Sequence, residues 1–305
     1  MRPFRFATTV TRGRSADHWR EVARRAEALG YDTLLMPDHI TDQLAPFPAL
    51  AAAAAATTTL RVGSFVFDND YRNPVMLAKE ATTLDLLSDG RLEFGIGAGW
   101  NKSDYRQLGM PFDAAKVRVD RMEEAVVLIK RLWTEAKVTH EGPHYRVRDA
   151  VVLPRPTQRP HPPLMIGARG PRMLRIAARE AQIVALVPAL DPFGLSTLRS
   201  LATESVEKRI AMLRRTPRFS EFELNVIVFD AAVTDRARSL VDAIAARLKS
   251  AVTAVVDSPF LVYGSRSSIV EDLLARRERL GISYFAIPGR AMRAFGPVIA
   301  ALRGK

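Results

Sequence analysis

Apolar and polar positions along the chain alternate between two periods, and the switch from one to the other repeats. Residues 4–10 read as a strand, and behind them Trp19, Val22, Ala23, Ala26 and Leu29 fall at helical spacing. Ser15-Ala16-Asp17 caps that helix and Gly30 ends it. Thr33-Leu34-Leu35-Met36 is short and apolar throughout, the pattern of a strand covered on both faces in a parallel sheet. The plan then recurs. An alanine-rich helix over 47–56 precedes a strand over 60–67, and Asn73-Pro74 opens a helix that runs to Leu87 before Ser88-Asp89-Gly90 turns the chain.

A fourth strand, 91–97, leads into a loop at 101–105 and a long helix over 114–133; residues 139–147 read as a hairpin that interrupts the repeat. Pro154, Pro156, Pro160, Pro162 and Pro163 form a stiff extended connector to a strand at 164–166, followed by a helix to Arg179. Strands at 183–187, 222–229 and 283–287 alternate with helices at 196–215, 235–249, 267–280 and 292–302. Eight strand-helix units with no compositional break predict a single α/β domain over 1–305, a (β/α)8 TIM barrel with insertions. An open doubly wound sheet is the alternative.

Composition narrows the chemistry. The chain of 305 residues is 48% hydrophobic and 26% charged, which fits a globular protein. No apolar run approaches the roughly 20 residues of a membrane span. The N-terminus enters a strand pattern without a signal-peptide core, so the expected location is the cytoplasm. With no cysteine, disulfides, thiolate metal sites and a cysteine nucleophile are excluded. The net charge of +12 asks for an anionic partner, yet the basic residues are scattered along helices beside acids, as in Arg276-Arg277-Glu278-Arg279. That distribution speaks against nucleic acid and for an anionic cofactor or small-molecule substrate.

In a barrel, binding groups gather where strands end and loops begin. The unusual residues fall there: Asp38-His39 after the second strand, Asp68 after the third, Gly97, Gly99 and Trp100 after the fourth, and Gly167-Ala168-Arg169-Gly170 after the fifth. The spacing G-x-G-x-G from Gly95 strips side chains from one face of a strand end, where a flat ligand can approach. It differs from the G-x-G-x-x-G of dinucleotide-binding domains, and Trp100 walls the space. Gly170-Pro171 starts a helix whose free N–H groups suit a phosphate, with Arg169 and Arg172 beside them. On that segment alone, a plain turn with surface arginines reads equally well. His39 is the candidate acid/base group. His140 and His144 lack a third ligand within sequence reach, and no metal is expected.

Asp38-His39, Arg72-Asn73-Pro74, the run from Leu84 to Arg91, Gly95-Ile96-Gly97-Ala98-Gly99-Trp100 and Ile166-Gly167-Ala168-Arg169-Gly170-Pro171, taken together, resemble the bacterial luciferase-like superfamily, and within it the branch using the deazaflavin F420. The resemblance implies a TIM barrel with F420 across the rim, its ring near strands two to four and its phosphate at Gly167–Gly170. It further implies that Asp38 sits by the ring, that His39 is the catalytic proton carrier, and that Phe65-Val66 is a non-prolyl cis peptide behind the ring. FMN, in a two-component monooxygenase, is the alternative cofactor, and a homodimer is usual in the superfamily. In the sugar-phosphate dehydrogenases of that branch an acidic catalytic residue matches Trp100, so the tryptophan implies a different and less polar substrate.

Overall fold

A computed structural model describes residues 1–188, 201–248 and 252–305. Its strands in chain order are β1 Arg5–Thr9, β2 Thr33–Met36, β3 Arg61–Ser64, β4 Phe67–Asp68, β5 Leu92–Gly97, β6 Val138–Glu141 and β7 Arg146–Ala150. They continue with β8 Leu164–Ala168, β9 Ile183–Leu186, β10 Glu223–Ile227, β11 Asp230–Val233, β12 Leu261–Gly264 and β13 Ile282–Pro288. Parallel pairing runs β3-β2-β1-β13-β10-β9-β8-β5, and a β3–β5 contact closes the ring. The result is an eight-stranded (β/α)8 barrel rather than an open sheet. Two-residue β4 continues the third strand beyond the cis peptide Phe65-Val66 and pairs with the end of β5.

Local sequence accounts for the boundaries. The Ser15 hydroxyl accepts from the His18 N–H at 3.1 Å to start the helix Ala16–Ala28, and the Asn73 side chain does the same for Val75 at 2.9 Å ahead of Pro74. Gly281 ends the helix Arg266–Leu280 at φ 75°, a conformation costly for any residue with a Cβ. The main core lies between barrel and helices, where Phe94 meets Trp133 edge-on at 5.0 Å and Phe67 at 5.6 Å.

Inside the barrel, the first residues of several strands form a polar floor. Buried Glu93 accepts from Arg5, from Arg61 Nε at 3.0 Å, from the Thr33 hydroxyl at 3.2 Å and from the Tyr284 hydroxyl at 2.9 Å. Arg5 also donates to Glu223 at 2.8 Å. Burial by itself would raise the Glu93 pKa; the charges of Arg5 and Arg61 and the bonds from Arg5 and Tyr284 outweigh it and hold the carboxyl below its ordinary value. Above the floor, Ala7, Leu35, Met165, Ala185 and Ala286 fill the interior.

Three features differ from the sequence expectation. Residues 101–105 are not a loop: Asn101 caps a short helix, Lys102–Gln107, by accepting from Ser103 N–H at 3.1 Å. The chain after β10 adds a parallel pair, β11 and β12, outside the barrel. The helix expected at 196–215 is described as Thr203–Arg214; residues 196–200 lie outside the described residues, as does Lys249 of the helix expected at 235–249.

Candidate active site

At the strand C-termini the barrel opens into a cavity of about 780 Å³. Asp38, His39, Phe65, Val66, Asp68, Gly97, Gly99, Trp100, Gly167, Arg169 and Gly170 all line it; Ala168, also expected there, is wholly buried and is not in the lining. The cis peptide at Phe65-Val66 is present.

The glycines act through a neighbour. A Cβ on Gly97 would sit 2.7 Å from a Val66 methyl, and one on Gly95 would collide with the Ser64 carbonyl oxygen and sit 3.0 Å from Val66. The bared strand face therefore admits Val66, and a flat ligand would lie against the Phe65-Val66 segment as well as on glycine backbone. Gly99 differs: at φ 72°, a Cβ would meet the Tyr105 hydroxyl and Asp68 Oδ2. Arg118 braces the same segment, donating to the Ala98 carbonyl at 3.1 Å and the Gly99 carbonyl at 3.3 Å.

His39 is held from behind. Its Nδ1 lies 2.6 Å from Asp104 Oδ2, and the Tyr71 hydroxyl donates to the same oxygen at 3.2 Å. Asp104 is fully buried, and a carboxylate can only accept, so the hydrogen belongs on Nδ1. Nε2 is then the ring atom available to a ligand. Trp100 packs edge-on against the imidazole at 5.5 Å, which limits its swing. Sequence reasoning missed Asp104 because nothing local places it against a ring 65 positions earlier.

Asp38 is less free than expected. Arg72 donates to its two oxygens at 2.5 and 3.2 Å, and the Asp68 N–H adds a third bond at 3.2 Å. Arg72 stands in the quoted Arg72-Asn73-Pro74 motif, but only the fold reveals its partner. Asp70, one turn away, is gripped by Arg121 at 2.8 and 2.7 Å.

The turn after β8 offers an anion cradle. Gly170 precedes the helix Pro171–Glu180, no side chain caps that helix, and a Cβ on Gly170 would meet nothing within 4 Å. Arg169 lines the cavity with no acidic partner among the described residues. Arg172 also lines the cavity and is paired with Asp120 and, at 2.8 Å, with Glu123. Elsewhere His140 binds Glu124 at 2.9 Å, and no cluster of three or more metal-ligating side chains occurs among the described residues. No helix among the described residues is long and apolar enough to cross a membrane.

A curated F420-dependent glucose-6-phosphate dehydrogenase from Intrasporangium calvum is 38% identical over 165 residues, covering 51% of this chain and 49% of the relative. The chain thus spans about half the length of such curated relatives. Monooxygenase RslO1 from Streptomyces bottropensis superposes with a TM-score of 0.76 at 25% identity, covering 97% of this chain and 99% of that one. The F420-dependent tetrahydromethanopterin reductase from Methanopyrus kandleri shares the fold, with a TM-score of 0.79 at 17% identity over 99% of this chain and all of its own. The profile of the luciferase-like monooxygenases matches residues 1–280, and the chain belongs to that family.

Proposed function

We propose that this protein is an F420-dependent oxidoreductase that moves a hydride between the deazaflavin and a small organic substrate, with His39 carrying the substrate proton. The observation that carries the reading is the three-sided cavity itself: an apolar wall at Phe65-Val66, an uncapped helix start with Arg169, and a histidine whose Nδ1 is engaged by a buried carboxylate. These residues fit the cofactor's parts. A flat ring matches the Val66 face, and a phosphate matches the open space at Gly170. When bound, F420 supplies the two-electron chemistry. The chain's own part is to fix the exposed ring face, exclude water with Trp100 and Phe229, and take or give a proton at His39 Nε2.

Support for F420 comes from relatives bearing that cofactor in their names over about half their length. The substrate reading rests on Trp100: the family resemblance implies an acid at this position in sugar-phosphate dehydrogenases, and the indole lining the cavity here favours a substrate less polar than a sugar phosphate. The reading includes a cytoplasmic homodimer; exposed Met76, Leu86 and Leu87 on the helix Pro74–Leu87 offer it an apolar surface.

A second reading, an FMN-dependent monooxygenase fed by a reductase, is favoured by the near-full-length match to RslO1. Titrating the purified protein with F420 and with FMN separates them. Submicromolar F420 binding with weak FMN binding is expected; tight binding of FMN alone would overturn the first reading.

A further inference from the structure

Near His39 the rim holds four carboxylates, Asp38, Asp68, Asp70 and Asp104. Arg72 takes Asp38 and Arg121 takes Asp70, both through two nitrogens. Arg118 spends its donors on the carbonyls of Ala98, Gly99 and Asp113. Asp104 has His39 and Tyr71. Asp68 alone of the four has no cation or imidazole within ion-pair reach among the described residues. Its Oδ1 accepts from the Asp70 N–H at 3.0 Å and lies 3.2 Å from the Tyr105 hydroxyl, whose single proton has a shorter path, 2.8 Å, to Asp70. Its Oδ2 stands beside Gly99 with no hydrogen-bond partner among the described residues, and Asp68 is one of the residues that line the cavity.

We infer that Asp68 is the second proton-exchanging residue of this pocket, a neutral carboxylic acid that trades its proton with the bound ligand while His39 trades the other. The electrostatics agree. Burial comes first, and the charges of Asp70 and Asp38 add to it; they outweigh the bonds from the Asp70 N–H and Tyr105 and push the Asp68 pKa up to about 7. The inference rests on the hydride-transfer reading above. In oxidation, His39 Nε2 would take the O–H or N–H proton of a substrate whose C–H hydride passes to bound F420, and Asp68 would supply the proton that a two-electron carrier takes up with the hydride. In reduction both protons retrace these paths.

The ligand-free protein provides the first test, by thermal melting of the parent and of Asp68→Asn from about pH 4 to pH 8. A carboxyl whose folded pKa lies above its unfolded one favours folding at low pH and loses that contribution as pH rises toward the folded value. The parent should therefore lose stability between about pH 4 and pH 7 relative to Asp68→Asn, the variant melting higher at pH 8 and the two converging near pH 4. If Asp68→Asn does not fold, Asp70→Asn serves: removing a neighbouring charge should move the parent's stability loss to lower pH. Melting curves that run parallel from pH 5 to pH 8, or an unmoved midpoint in Asp70→Asn, would overturn the assignment.

Single-turnover hydride transfer with F420 provides the second. In the oxidative direction the parent rate should fall as pH rises through about 7; Asp68→Asn should be slower by about 10² or more, without that limb and with cofactor affinity within a fewfold. A variant that keeps both rate and limb overturns the catalytic role. Absence of F420 binding would instead defeat the functional reading, and the melting comparison would still decide whether Asp68 holds the proton.

Discussion

The two ends of the barrel use the same side chains to opposite effect. At the floor, Glu93 and Glu223 face Arg5 and Arg61, Tyr284 and Thr33 fill the remaining bonds, and the Glu93 carboxyl is held ionised. At the rim, Asp38 and Asp70 are matched by Arg72 and Arg121 while Asp68 is left with neutral donors and a pKa pushed up to about 7. A matched network locks strands together. An unmatched one keeps a proton in reserve beside a cavity, and the difference lies in cation count and access rather than in residue type.

That comparison can be broken at either end. The largest effect is expected at the floor: Glu93→Ala removes the only carboxylate partner of Arg61 and one of the two of Arg5 among the described residues, and should cost up to about 3–5 kcal/mol in denaturant unfolding, the range for removing one partner of a buried ion pair. A cost under about 1 kcal/mol would mean that the floor network is ornamental. At the rim, Arg169→Ala should weaken cofactor binding by about 1.5–3 kcal/mol, roughly ten- to a hundredfold, as for a hydrogen bond to a charged group. Arg172→Ala, whose parent side chain is already paired with Asp120 and Glu123, is the control and should change the affinity little.

Much of this architecture is legible in the sequence, because barrel strands such as Thr33–Met36 and Leu92–Gly97 are local apolar runs bounded by turn residues. Caps at Ser15 and Asn73 are equally local. The rim positions follow from the barrel rule once the strands are placed. What stays hidden is pairing across the chain: Tyr284 reaches Glu93 from 191 positions away, and Asp104 reaches His39 from 65. The glycines show a subtler gap. Their spacing announces a bared strand, but only the fold shows that Val66 fills much of the space, because Val66 comes from the step between β3 and β4. The β11–β12 pair escaped for a similar reason, its short strands separated by a helical stretch.

In the function proposed above, the rim, unlike the floor, acts through a histidine whose ring is held by Asp104. Single-turnover hydride transfer with F420, comparing the parent with His39→Ala and Asp104→Asn, tests it most directly. His39→Ala should slow transfer by about 10² to 10⁴ with cofactor affinity within a fewfold, and Asp104→Asn should fall between that variant and the parent. Transfer by His39→Ala within a fewfold of the parent would contradict it.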